Sequence, residues 1–109
     1  MPDVDIPNEV ASRSFINQTG NIAATVLFTP SAAGLFRLSV YINGSPVVSS
    51  VTVTFTWTDD VGAQSLALGF GGSFLQDVAM LRVASGSISV SASQSGGTTY
   101  SLFVTVEQL

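Results

Sequence analysis

The run Val51–Thr58 constrains the fold more than any other part of this chain. It reads VTVTFTWT, so apolar side chains and threonines alternate along it without a break. Successive side chains of a strand leave opposite faces of the sheet, and an alternation of period two is therefore typical of a strand with one buried face. Its apolar side is predicted to face the core, and we expect Trp57 to lie there.

The same period governs most of the chain from Ser14 onward, with Gly, Pro, Asn, Asp and Ser between the alternating runs. The pattern predicts no helix and about eight strands, at residues 14–17, 22–28, 35–43, 48–58, 63–70, 77–84, 87–94 and 99–107. So many short strands in one small domain indicate an all-β sandwich of two antiparallel sheets. Both a jelly roll and an immunoglobulin-like fold fit this pattern. Residues 14–109 are interpreted as that single domain.

Residues 1–13 differ in composition from the rest, with three acids, two prolines and little periodicity. They are interpreted as an N-terminal arm, either a disordered tail or a segment ordered by a partner. The acids would then meet a basic patch on that partner. An acidic start broken by prolines is also unlike a secretory signal peptide. The candidate partner-binding residues of the arm are Asp3, Asp5, Ile6, Glu9 and Val10.

The amino-acid inventory excludes most catalytic chemistry, because the 109 residues include no His, no Cys and no Lys. Triads with His or Cys, zinc sites, disulfides and Schiff bases all need one of these residues. A net charge of −4 does not suit a nucleic-acid partner. No apolar stretch approaches the roughly 20 residues of a membrane span. We expect a protein that is not an enzyme, with no catalytic residues, metal, cofactor, nucleic acid or membrane partner.

Asp59 and Asp60 form the one adjacent carboxylate pair and fall in a predicted turn. Two carboxylates are thin support for a calcium site, which takes six to eight oxygens, so a plain turn is the favoured interpretation. Arg37 and Arg82 stand on strands among apolar residues, and a cation there is expected to pair with an acid, within or across subunits. The candidate acids are Asp59, Asp60, Asp77 and Glu107.

The outward positions of the predicted strands are mostly Ser and Thr, with Leu35, Tyr41 and Phe103 among them. Charged residues make up only 9% of the chain, against about 25% in a typical globular domain. A solvated sheet normally carries charges such as Lys, which also discourage edge-to-edge pairing. The pattern therefore indicates a surface covered by other protein, as in a subunit of an assembly.

Three segments carry a resemblance to known proteins. Phe28–Val40, FTPSAAGLFRLSV, is similar to the Thr-Pro, small residues, Gly, aromatic signature of complement globular-head and tumour necrosis factor-like jelly rolls. The other two are Thr56–Asp59 and the ending Thr98–Leu109. In this order and spacing, they resemble small tail-, fibre- and head-associated structural proteins of tailed bacteriophages, over roughly residues 20 to 109.

The resemblance implies a homotrimeric jelly roll with its last strand near the threefold axis. It further implies a virion structural protein of a tailed phage, made in the host cytoplasm. Most of all we expect a capsid decoration or cement protein that binds the major capsid protein or another virion lattice protein. The alternative is a head-fibre or tail-associated adhesin or carbohydrate-binding module. The predicted subunit-interface residues, with Phe103 first, are Tyr41, Phe103, Arg37, Arg82 and Glu107.

Overall fold

The structure, a computed structural model, describes residues 8–45, 51–70, 74–94 and 99–109. Its strands are β1 (Asn8–Gln18), β2 (Ile22–Phe28), β3 (Gly34–Ser45), β4 (Val51–Thr58), β5 (Ala63–Phe70), β6 (Phe74–Val83), β7 (Ser85–Gln94) and β8 (Thr99–Gln108). Two of them, β2 and β5, have the bounds expected from the sequence. Within these described ranges no residue is helical, and no helix there could cross a membrane.

The strands form two four-stranded antiparallel sheets, which we call sheet 1 and sheet 2. Sheet 1 has the order β1-β8-β3-β6, and sheet 2 has the order β2-β7-β4-β5. An immunoglobulin domain would keep its first and second strands in one sheet. Here they lie in different sheets, and the first strand pairs with the last, which is the order of a jelly roll. The expectation of an all-β jelly-roll sandwich is confirmed.

The core lies between the sheets and is built from the apolar rows that the alternation predicted. The buried rows are Phe36, Leu38, Val40 and Ile42 on β3; Val51, Val53 and Phe55 on β4; Ile88, Val90 and Ala92 on β7; and Tyr100, Leu102, Val104 and Val106 on β8. Full burial of one large apolar side chain contributes about 1.5–3 kcal/mol. These rows fix which residues of each strand remain outside.

Trp57 packs against this core but is only half-buried. It sits near the end of β4, where the pairing with β7 shifts register between Thr56 and Thr58. The prediction that places it on the core-facing side of the strand agrees with this packing.

The arm boundary predicted at residue 13 is corrected by β1. Asn8–Gln18 pairs with β8, so residues 8–13 belong to an edge strand of sheet 1. The pairing shifts register between Glu9 and Ala11, and the intervening Val10 packs against the core. This irregularity interrupts the period of two by which strands are identified. Glu9 is exposed, while Asp3, Asp5 and Ile6 lie outside the described residues.

Candidate functional site

The candidate site is the outer face of sheet 1, the side turned away from the core. Since the inward rows of β3 and β8 are fixed by burial, the intervening residues must point outward. Cross-strand pairing aligns them in three rows with β3 in the middle, namely Glu107–Arg37–Met80, Thr105–Ser39–Val78 and Phe103–Tyr41–Gln76. A fourth pair, Leu35 and Arg82, continues the face between β3 and β6. All five predicted interface residues therefore lie on one face.

The apolar residues of these outward rows form what we call the apolar stripe, namely Leu35, Tyr41, Val78, Met80 and Phe103. Val78 and Met80 are each 58% exposed, and Phe103 is 36% exposed. The rings of Tyr41 and Phe103 are 6.0 Å apart at an interplanar angle of 40°, within the range of favourable aromatic pairs. Exposed apolar side chains grouped on one face mark an interaction surface.

Val78 and Met80 are functional candidates that sequence reasoning missed. Both lie in the strand predicted at residues 77–84, whereas the outward apolar residues predicted from the sequence, Leu35, Tyr41 and Phe103, lie on other strands. Leu81 and Val83 are buried, so the alternation through β6 already places Met80 and Val78 outward. That signal was available in the sequence.

Both arginines of this face form ion pairs within one chain. The Arg37 Nε donates to the Glu107 Oε1 at 2.9 Å, across the β3–β8 pair. This hydrogen bond and the charge of Glu107 raise the pKa of Arg37. The Arg82 Nε donates to the Asp60 Oδ1 at 3.0 Å. An apolar partner could therefore cover this face without burying an arginine that lacks a carboxylate partner.

Asp59 and Asp60 form the predicted turn between β4 and β5. The Asp59 Oδ1 accepts hydrogen bonds from the backbone N–H groups of Val61 at 2.8 Å and Gly62 at 3.1 Å, and from the Gln64 side chain at 3.3 Å. The Val61 hydrogen bond is the largest cause of the lowered pKa of Asp59. The hydrogen bond from Arg82 is the largest cause of the lowered pKa of Asp60. Both carboxylates thus stabilise the fold, and no group of three acids suited to a metal occurs among residues the structure describes.

A shallow, open depression of about 650 Å³ lies on the same face. The aromatic rings of Tyr41 and Phe103 line it together with the polar groups of Gln76 and Thr105. The Asn43 Nδ2 donates to the Tyr41 hydroxyl at 3.4 Å. Aromatic rings beside amide and hydroxyl groups suit either a protein surface or a sugar ring.

The outer face of sheet 2 is chemically different, because it is lined by hydroxyls and small side chains. Its rows are Gly69–Thr52–Ser93, Ala67–Thr54–Ser91 and Ser65–Thr56–Ser89, across β5, β4 and β7. These nine positions carry no charge. The Ser- and Thr-rich outward surface predicted from the sequence therefore belongs chiefly to sheet 2, whereas the apolar outward residues gather on sheet 1.

No family model and no curated protein matches the sequence. Solved structures do match it. The PRD1 vertex protein P5 is similar with a TM-score of 0.61 and 10% identity, over 94% of this chain and 73% of that one. The globular domain of zebrafish complement 1qA is similar with a TM-score of 0.54 and 12% identity, over 93% and 95%. TmCBM61, solved in complex with beta-1,4-galactotriose, gives 0.50 and 16%, over 91% and 66%. At such low identities the likeness is one of fold.

Proposed function

We propose that this chain is a structural subunit of a bacteriophage particle, assembled as a homotrimer through the outer face of sheet 1. The observation that carries the proposal is the apolar stripe, which shares its face with arginines already paired inside the chain. The fold is like that of a phage vertex protein and of a complement globular domain, which supports this choice of class. Catalysis has no place in the proposal, because the chain has no His, Cys or Lys.

A second copy suits the stripe better than a charged partner does. Arg37 and Glu107 neutralise each other, and the remaining charge of their row is Glu9 at the β1 edge, so the centre of the face presents apolar and hydroxyl groups. Depletion of unpaired charge with enrichment in aromatic residues and Met is typical of the buried centre of a protein interface. Around a threefold axis, Phe103 on the last strand would meet its counterparts from the other two copies.

Within the particle, the proposed role is capsid decoration. Trimers bound at threefold positions would stabilise the lattice because they bind only its assembled form. The acidic residues Asp3, Asp5 and Glu9 would meet a basic surface there. A chain lacking residues 2–7, which precede β1, is expected to lose cosedimentation with capsids while keeping its unfolding midpoint. Unchanged cosedimentation would refute this contact.

Light scattering after size exclusion tests the trimer. The wild-type chain is expected at three times its 11.3 kDa mass or at a multiple of that trimer mass. Met80→Glu places a charge in the stripe and is expected to yield a folded protein that no longer forms trimers. Val26→Glu is the matched control, because Val26 is similarly exposed, at 55% against 58% for Met80, but lies on sheet 2, where it pairs with Ser89. A wild-type monomer at all concentrations, or equal dissociation by both variants, would overturn the interface.

A second candidate function is favoured by the depression beside Tyr41 and Phe103. Aromatic faces stack on sugar rings, while Gln76 and Thr105 supply hydrogen-bonding groups beside them. TmCBM61, whose structure contains a galactotriose, shares the fold. A reproducible glycan-array signal that Tyr41→Ala abolishes would support carbohydrate binding over trimerisation. An array without such a signal would remove this candidate.

A further inference from the structure

The two sheets have four edge strands, β1 and β6 in sheet 1 and β2 and β5 in sheet 2. An edge strand exposes backbone N–H and C=O groups to any strand that can pair with them. Proteins therefore guard their edges with charges, prolines or bulges. The four edges of this chain differ in how they are guarded.

Three edges carry such features. The β1 edge has Glu9 and Arg13 and two register shifts along its pairing with β8. The β6 edge has Asp77 on the core-facing side, opposite Val40, and Arg82 near its end. The β2 edge is uncharged, but its pairing with β7 shifts register twice. Each of these features opposes the addition of a further strand.

The β5 edge has none of them. Its sequence, AQSLALGF, contains no charge and no proline, and it pairs with β4 in unbroken register from Ala63 to Phe70. Its outward residues Ala63, Ser65, Ala67 and Gly69 are small and exposed. No strand pairs with the outer edge of β5 within the described part of the chain. Such an edge is open to strand addition.

We propose that β5 pairs antiparallel with β5 of a second copy across a twofold axis, which joins two copies of sheet 2 into one eight-stranded sheet. Residues opposite each other in an antiparallel pair share a face. The axis must therefore pass midway between the two copies of a single β5 residue, and Leu66 and Ala67 lie at the middle of the strand. Either centre matches small outward residues with small ones, and leucine with leucine or another inward residue. The strand is thus complementary to itself.

Charge favours the antiparallel orientation of this strand pair. The chain has a net charge of −4, so a contact between two copies must keep their acids apart. The acids nearest to β5 are Asp59 and Asp60, in the turn that precedes Ala63. Antiparallel pairing places the two copies of this turn at opposite ends of the new strand pair. The contact is separate from the outer face of sheet 1, and it does not depend on the proposed trimer.

Disulfide trapping tests this contact, and only the introduced cysteines can cross-link because the natural chain has none. Directly opposite residues of antiparallel strands lie about 4.5–5.5 Å apart between Cα atoms, within disulfide range. The double variant Ser65→Cys/Ala67→Cys can cross-link in either register. Thr54→Cys, on the same face of the adjacent strand β4, is the control. Both proteins also carry Met80→Glu, so that the result is independent of contacts through sheet 1.

Under mild oxidation, the double variant is expected to give a covalent dimer as its main species on a non-reducing gel, and the control is expected to show no covalent dimer there. In the Met80→Glu protein, Ala67→Lys should abolish the noncovalent dimer seen by light scattering, because it sets like charges close together across the axis. Thr54→Lys should leave that dimer intact. Cross-linking no greater than in the Thr54→Cys control would overturn the proposal, whatever the outcome for the trimer.

Discussion

At the scale of single residues, Tyr100 shows how a polar atom is accommodated in a jelly-roll core. Its side chain lies in the buried row of β8, yet its hydroxyl donates to the Gly20 carbonyl at 2.8 Å. The bond ties the start of β8 to the β1–β2 connection. Burial also raises the pKa of Tyr100, because the ionised form would lose its hydration.

Tyr100→Phe is expected to destabilise the fold by about 1 kcal/mol through loss of this hydrogen bond. It should also change the response to alkali. Because the pKa of Tyr100 is raised in the folded state, its contribution to stability is fully present below the ordinary pKa of about 10. That contribution is lost as pH rises through the folded value. Urea unfolding at a series of pH values should show a shallower alkaline loss in Tyr100→Phe, with Tyr41→Phe on the outer face as control. Equal losses in the two variants would contradict this role.

Asp59 contributes to the dependence of stability on acidic pH. Because its pKa is lowered in the folded state, its contribution is present above the ordinary value of 3.8 and is lost as pH falls through the folded value. Asp59→Asn keeps an oxygen to accept from Val61 and Gly62 but does not ionise. It should fold with a shallower acid-induced loss of stability, whereas Asp59→Ala should lower the melting temperature at neutral pH. Calorimetry at pH 3 and pH 7 measures both, and a melting temperature unaffected by the alanine would refute the turn's role.

At the scale of elements, the passage from β6 to β7 is the tightest crossing between the sheets, since only Ala84 separates them. The Ala84 N–H donates to the Thr58 carbonyl at 2.8 Å, and Gly86 then adopts a φ of 76° at the start of β7. This left-handed conformation costs a residue with a Cβ roughly 1–2 kcal/mol. Glycine at this position lets the chain turn directly into the next strand.

Gly86→Ala is therefore expected to destabilise the fold by about 1–2 kcal/mol through backbone strain alone. Space does not limit it, because the nearest atom to an added Cβ is the Thr58 Oγ1 at 3.9 Å. Gly20→Ala is the control, since nothing lies within 4 Å of its Cβ position and no left-handed φ occurs there. Denaturant unfolding should separate the two variants, and equal stabilities would argue against the strain.

At the scale of the whole molecule, the two sheets present surfaces of opposite character. Sheet 1 exposes the apolar stripe beside two ion pairs formed within the chain. Sheet 2 exposes mainly hydroxyls, together with the β5 edge, which has no charge, proline or register shift. The proposed trimer uses the first surface and the proposed strand pairing uses the second. A chain with both contacts could build larger assemblies without any further interface.

The trimer proposed for sheet 1 should resist salt. Arg37 and Arg82 pair within one chain, so screening of charge would weaken no ion pair between subunits. Raising sodium chloride from 0.05 M to 1 M is therefore expected to leave the trimer's dissociation constant unchanged or lower it. Sedimentation analysis measures this constant. Dissociation at high salt would indicate ion pairs across subunits instead.

The sequence alone determined most of the strands, their buried rows and the turn at Asp59, because alternation and turn chemistry are local properties of the chain. Burial of one face requires only that every second residue be apolar, so Phe36–Ile42 and Tyr100–Val106 could be assigned without any knowledge of their neighbours. The same reasoning placed Tyr41 and Phe103 outward on their strands.

Only the tertiary structure decided which strands are neighbours, because alternation is the same in a jelly roll and in an immunoglobulin domain. Strand order set Glu107 beside Arg37, 70 residues away in sequence, and brought Val78 and Met80 to the same face as Phe103. It also gave Asn8–Arg13 a partner in β8, although a register shift had hidden this strand from the periodicity. Pairing between distant segments depends on how the two apolar faces close on each other, and that is a property of the whole chain.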